Sequence, residues 1–215
     1  MLQIAIDGAC HRNGKPDCVA AGGVYVRRFA AGQLINTKVL SKAEKCSTNQ
    51  RGELLALHGA LMYVNALQEE AIIITDSEYL YNTMVKEWFR GWESNGWLTA
   101  AGEPVKNSDL WKQIKAEYDA CPVDIIFYHI KGHCISLGKV TTKKLLEKDP
   151  EAYELLQAAY KKYDEGVKPD KLKAAKELSL HNNGFVLDTK TLRDFIVLNT
   201  VVDAVASKTV EETDS

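Results

Sequence analysis

Three strand-like segments precede the first helical one, and that order restricts the fold more than any other feature of the chain. Leu2, Ile4 and Ile6 alternate with other residues up to Asp7, which closes the run. A turn containing Gly, Asn and Pro follows through Pro16. Gly22–Val26 and Gln33–Leu40 read as the second and third strands. Consecutive strands with short connections predict an antiparallel meander. The period then changes. Leu54, Leu57, His58, Leu61 and Val64 recur at helical spacing between Asn49 and Leu67. Ala71–Thr75 reads as a buried parallel strand, and Ser77 as the cap of the next helix. Ser108–Tyr118 is amphipathic and helical, and Val123–Ile130 is a further strand. The order predicts an α/β fold with a mixed sheet flanked by helices.

Residues 134–190 differ in character, being rich in Lys and Glu. Asp149-Pro150 and Lys168-Pro169 read as helix starts, with Pro at the first helical position. Thr189 reads as the cap of a last helix to about Lys208, and the end of the chain as a frayed tail. No apolar run approaches the roughly 20 residues that cross a bilayer. The first residues lack the layout of a secretory signal, so a cytoplasmic protein without membrane attachment is expected. The five cysteines are odd in number and none is spaced C-x-x-C, which predicts reduced thiols. A zinc site using Cys134 beside His133 is the alternative. Net charge is −2, so any binding of a polyanion must be local or assisted by metal.

Four carboxylates stand out by position. Asp7 and Asp76 each follow a strand, and α/β sheets gather ligands at strand ends. Glu53 lies one turn into a helix beside Leu54 and Leu55, and Asp203 lies within Val201–Ala206, an otherwise apolar run. Singly, such residues are ordinary turn, cap or dipole partners. Together they would repel one another and shift upward in pKa unless a divalent cation joined them. Oxygen-only ligands select hard ions, Mg²⁺ first and Mn²⁺ as a substitute. A pair of such ions about 4 Å apart can support phosphodiester cleavage.

Six segments resemble the type 1 ribonuclease H family, in family order. They are Ile6-Asp7-Gly8-Ala9-Cys10, Ser47 to Leu54, Ile74 to Tyr79, Trp97 to Trp111, Ile130-Lys131-Gly132-His133, and Asn199 with Asp203, Ala204 and Ala206. The resemblance implies a ribonuclease H-like fold with a five-stranded sheet whose first three strands are antiparallel. It implies a metal-dependent endonuclease acting on the RNA strand of RNA–DNA hybrids, leaving 5′-phosphate and 3′-hydroxyl ends. Asp7, Glu53, Asp76 and Asp203 match the family's metal-binding acids, for two Mg²⁺ ions. His133 matches a loop histidine tied to proton transfer or product release. Asn13, Asn49 and Gln50 match positions that contact the hybrid in its minor groove, where the 2′-OH groups lie. Cys10, Thr48, Glu78 and Asn199 match further positions at or beside the substrate. Trp88 and Trp92 match aromatics of a DNA-strand channel in the basic handle, although tryptophans such as Trp97 and Trp111 are more often core.

Three departures qualify the match. The handle keeps Lys86, Arg90 and Lys106 but reads Trp92-Glu93-Ser94-Asn95-Gly96-Trp97 where relatives carry cations, so it is expected to be poor in charge. Glu78 stands where many relatives have Gln, and a carboxylate cannot donate. About 65 residues separate His133 from Asp203, where relatives need only a short loop. The expected organisation is a catalytic domain of residues 1–134 plus 190–208, a helical insertion at 135–189 and a disordered tail at 209–215, acting as a monomer. The insertion reads as a solvated helical hairpin, as a basic face that replaces the handle, or as a partner surface. A non-catalytic hybrid- or duplex-binding module, and a nuclease for another structured nucleic acid, are the competing functions. The retention of all four acids favours the hybrid-cleaving enzyme.

Overall fold

The computed structural model describes residues 1–183 and 187–214. The elements run β1 (Leu2–His11), β2 (Val19–Ala30), β3 (Gln33–Lys45), α1 (Asn49–Leu67), β4 (Ala71–Thr75), α2 (Glu78–Val85), α3 (Trp88–Ser94), α4 (Ser108–Ala120), β5 (Ile125–His129), α5 (Lys139–Lys148), α6 (Tyr153–Asp164), α7 (Pro169–Asn183) and α8 (Thr189–Asp214). The five strands form one mixed sheet in the order β3-β2-β1-β4-β5. β1, β2 and β3 are antiparallel, and β4 joins β1 and β5 in parallel, as the sequence pattern predicted. No helix among the described residues is long and apolar enough to cross a membrane.

Each face of the sheet carries a core. Along β2 the side chains alternate, so Val24 and Val26 face one side and Tyr25 the other. The first core packs Leu54, Leu57 and Leu61 of α1 and Trp111 and Ile114 of α4 against the sheet. The second packs Phe195, Val201 and Val202 of α8 with Leu155 and Leu156 of α6. Adjacent glycines of β2 set how closely the two long helices approach. A Cβ on Gly22 would lie 2.4 Å from the backbone nitrogen of Ala56 in α1. One on Gly23 would lie 2.9 Å from that of Ala206 in α8.

Several boundaries differ from the sequence reading, each for a tertiary reason. β1 does not stop at Asp7: its pairing with β2 continues to His11, opposite Val19, while its pairing with β4 ends at Ala5. α6 starts at Tyr153 rather than after Asp149, because the Ala152 N–H closes a turn onto the Asp149 carbonyl. The Asp149 carboxylate still serves the helix, accepting the Glu154 N–H at 2.7 Å. Asp188, not Thr189, caps α8, accepting the N–H groups of Lys190 and Thr191 at 3.0 and 3.1 Å. The expected disordered tail at 209–215 is instead helical through Asp214, and Ser215 lies outside the described residues. Val210 is buried with Val19 and Ala21, and Asp214 pairs with His11 and Arg12 beyond the end of β1.

The segment expected to be an insertion holds three helices, α5 to α7, with residues 184–186 outside the described set. They are not a hairpin standing free in solvent. Leu155, Leu156 and Ala159 of α6 and Ala175 of α7 belong to the second core. Arg27 of β2, 5% exposed, donates to the Tyr160 hydroxyl of α6 at 2.8 Å and to Gln3 at 2.6 Å. That hydroxyl in turn donates to Asp194 of α8 at 2.9 Å.

Gly22→Ala is expected to destabilise the protein by about 1–3 kcal/mol, because the added methyl meets backbone that cannot rotate away. Urea unfolding of the variant checks this. An unchanged midpoint would mean that α1 is not seated on β2 at this glycine.

Candidate active site

Strand register brings the first two acids together. β1 pairs with β4 through Ala5 and Ile74, and two further residues along each chain set Asp7 opposite Asp76. On the antiparallel side Asp7 pairs with Gly23, the residue against which α8 rests through Val202 and Ala206. That contact delivers Asp203. On the other face, the seat of α1 over Gly22 delivers Glu53, one turn after the Thr48 cap. Asp7, Glu53, Asp76 and Asp203 therefore line one cavity of about 470 Å³, with Asn49 and His133 at its wall.

The acids stand in a hostile setting. Burial pushes the pKa of Asp7 well up, and repulsion from Asp76 and Asp203 adds to it; the Gly8 N–H, donating at 2.7 Å, offsets only part. Burial also raises Glu53, with the Ser77 hydroxyl opposing it and Asp76 reinforcing it. Asp76 is raised by burial and relieved by His133, Asn199 and His129. Asp203 is raised by burial, relieved by His133 and raised again by Asp76. A divalent cation would remove this repulsion, and four oxygen ligands suit Mg²⁺ or Mn²⁺. Among the described residues, no three His, Cys, Asp or Glu side chains close tightly enough to form a ready cage. The carboxylates face a shared space instead, so the donor chemistry fits hard divalent ions that draw the ligands in.

The other predicted residues divide into two groups. Asn49 donates to Glu53 at 3.2 Å, and its own N–H reaches the Asn13 side chain at 3.4 Å. The Cys10 thiol lies 3.8 Å from the same Asn13 oxygen, and Thr48 accepts the Arg51 N–H at 3.3 Å as the α1 cap. These residues form a polar rim beside the acids. Asn199 is 4% exposed, faces Asp76, and its side-chain nitrogen has no well-formed hydrogen bond. Glu78 lines a neighbouring cavity with Asp76, walled by α7. Gln50 is turned aside and accepts from Asn107 at 3.1 Å. Trp88 and Trp92 do not line the acid cavity. Trp88 is 39% exposed under Lys86, while Trp92 packs edge-on against Trp111 in the first core. The Cys134 thiol, named with His133 in the zinc alternative, is buried and donates to the Lys131 carbonyl at 3.2 Å.

Two features escaped the sequence reading. Gly132 abuts Asp76 so closely that a Cβ would fall 2.0 Å from a carboxylate oxygen, so a side chain there would push the Asp76 carboxylate from its place. His133 follows it in the left-handed region at φ 54°, and its carbonyl accepts a hydrogen bond from Lys171 of α7. No local pattern could reveal that bond, because 38 residues separate the partners.

A raised carboxyl pKa stabilises the fold below the unfolded value and loses that contribution as pH rises through the folded value. In chelator, wild-type protein should therefore lose stability relative to Asp7→Asn as pH rises from about 4, the unfolded carboxyl value, toward neutrality. The variant should melt at least ~2 °C higher at the upper pH, with the gap closing at the lower. Thermal melts at both pH values measure it, and a constant gap would contradict the repulsion.

Comparison with known proteins agrees with this geometry. The ribonuclease H family model matches residues 1–141, which include Asp7, Glu53, Asp76 and His133 but not Asp203. A ribonuclease H of Thermus thermophilus is 40% identical over 129 residues, covering 59% of this chain and 70% of its own length. A solved foamy viral protease–reverse transcriptase in complex with dsDNA is 26% identical, with a TM-score of 0.51 over 60% of this chain and 79% of that one. A type 1 ribonuclease H with the type 2 active-site motif shares the fold at a TM-score of 0.54 and 21% identity, covering 63% of this chain and 64% of its own. The chain thus belongs to the ribonuclease H family and is a ribonuclease H hydrolase.

Proposed function

We propose that this protein is an endonuclease that hydrolyses the RNA strand of RNA–DNA hybrids with two divalent ions, leaving 5′-phosphate and 3′-hydroxyl ends. The observation that carries the proposal is the meeting of Asp7, Glu53, Asp76 and Asp203, from four separate elements, on one partly buried cavity. Their mutual repulsion is a cost with no structural return, and it makes sense in a site built for cations. Mg²⁺, or Mn²⁺ in its place, would supply the charge that activates water and stabilises the leaving oxygen in phosphodiester cleavage.

The remaining roles follow from placement. Asp7 and Asp76 at the sheet, with Glu53 and Asp203 from the two helices, would hold the ions. Gly8 and Ser77 orient Asp7 and Glu53 through their hydrogen bonds. His133, exposed on the loop after β5 at the cavity wall, is placed to pass a proton between the site and solvent. Asn13, Cys10, Thr48 and Asn49 offer the polar rim on which the sugar edges of a hybrid would rest, where 2′-OH groups distinguish RNA from DNA. In this reading residues 1–134 with 190–208 form the catalytic domain and 135–189 an insertion. The protein acts as a monomer. Its five free cysteines suit a reducing cytoplasm.

Cleavage of an end-labelled hybrid in Mg²⁺ and in Mn²⁺ tests the proposal, with duplex DNA and duplex RNA alongside. Only the RNA strand of the hybrid should be cut, chelator should stop the reaction, and Asp76→Asn should lower kcat at least ~100-fold. Cutting of duplex RNA would move the substrate to another structured nucleic acid. A folded wild-type chain that binds hybrid without cutting it would make the protein a binding module.

A further inference from the structure

We propose that α5, α7 and α8 build a phosphate-binding groove that holds the sugar–phosphate backbone of one strand of the hybrid beside the catalytic cavity. The inference rests on the function proposed above and adds to it a second contact for the same substrate.

A cavity of about 270 Å³ opens on the far side of His133 and Asp203 from the four-acid site and shares both residues with it. Lys139 and Lys143 of α5, Lys171 of α7 and Lys208 of α8 line it, with Thr142 as a further donor. These four ammonium groups face two carboxylates, Asp203, which the metal site already claims, and Glu211. Lys139 and Lys171 make no ion pair among the described residues, Lys143 reaches Glu147 only at 4.0 Å on an open helix surface, and Lys208 alone is held by a neighbour, Glu212, at 3.3 Å. A backbone of evenly spaced negative charge running out of the active site would meet matching charge here.

Two other surfaces near the site lack that character. In the handle, Arg90 pairs with Glu87 at 3.0 Å and with Asp119 at 3.1 Å, and Lys115 pairs with Glu93 and Asp119. Lys86 lies over the Trp88 ring. Arg90 and Lys115 are thus committed within the protein, which leaves Lys86 and Lys106 as the handle cations without a carboxylate partner among the described residues. On the opposite side of α7, the cavity of about 470 Å³ beside Glu78 is lined by Asp76, Glu78 and Glu177, three carboxylates that repel phosphate, against a single lysine, Lys131, and the imidazoles of His129 and His181. α7 thus separates a mostly acidic wall from a basic one; both adjoin the catalytic cavity, but the lysines cluster on the basic side. Lys171 also bonds the His133 carbonyl, so one wall of the groove is fastened to the loop that carries the histidine.

Lys139 and Lys143 are exposed, so replacing both with Ala should leave the fold intact, and a melting curve equal to wild type checks this. The full-length double variant should raise KM for hybrid about 5–10-fold, with kcat within about twofold of wild type. Its slope of log affinity against log salt should flatten by about 2, near 0.9 for each phosphate left without its cation. Arg at both positions should restore the slope. Removing the same two charges at Lys162 and Lys173, outside the groove, should leave it in place. Binding of labelled hybrid to Asp76→Asn protein, read by fluorescence anisotropy, supplies the slope even without turnover. If wild type does not cut, the proposed function fails while anisotropy still reads the groove. If wild type cuts but the double variant keeps both KM and salt slope, the groove is refuted.

Discussion

The site exists because two helices touch one strand from opposite sides. Gly22 and Gly23 are neighbours in β2, and their missing side chains let α1 and α8 rest on backbone. A strand residue with any side chain would push a helix outward by more than the packing allows. Because strand neighbours point to opposite faces, two successive glycines are what admits both helices at one level of the sheet. Glu53 rides on one helix, Asp203 on the other, and Asp7 lies across from Gly23 in the strand between. The acid cluster is therefore held by apolar packing and close backbone approach, against its own electrostatics. All four carboxyl pKa values move upward, chiefly because the fold buries them, with repulsion between acids adding to it at Asp7, Glu53 and Asp203.

The same reasoning changes the status of the helical segment between His133 and Asp203. α6 covers the second face of the sheet beside α8, and Tyr160 joins Arg27 of the sheet to Asp194 of the last helix. Arg27 is nearly fully buried and pairs with Asp194 at 3.6 Å, so loss of Tyr160 would leave one buried guanidinium donor without its acceptor. Cutting the segment out would also expose the faces of Phe195 and Ile196 that it helps to cover. Loss of activity after such a deletion would report the fold as much as the substrate, so single charges are the sharper probe of what the segment does.

Local pattern carried much of this architecture. The bounds of α1 at Asn49 and Leu67 and of β4 at Ala71 and Thr75 follow from periodicity, because each element is decided by its own burial face. Four acids in apolar or strand-end settings were visible for the same reason. What stayed hidden depends on residues far away in sequence. β1 passes Asp7 because β2 remains beside it, and α8 reaches Asp214 because His11 and Arg12 receive that carboxylate. Gln50, predicted at the substrate, is turned aside by Asn107, a partner 57 residues on. Lys171 gave no local sign of its bond to the His133 loop, since nothing in an amphipathic Lys- and Glu-rich helix marks one lysine out.

Charge shows how a chain of net charge −2 can serve a polyanion. The relevant quantity is the set of cations without an internal partner near the cavity, not the sum over the molecule. The handle commits Arg90 and Lys115 to Glu87, Glu93 and Asp119, which stiffens α3 against α4 and reduces the field outside. α7 divides its surroundings, with Glu177 on the Glu78 side and Lys171 on the Asp203 side. The loop after β5, with its histidine in the left-handed region, sits between these two fields. Fastened by Lys171 on the basic side and seated on Asp76 through Gly132, that loop is where the added helices and the acid cluster meet. A shift of α7 would therefore be felt first at this loop, and through Gly132 at Asp76.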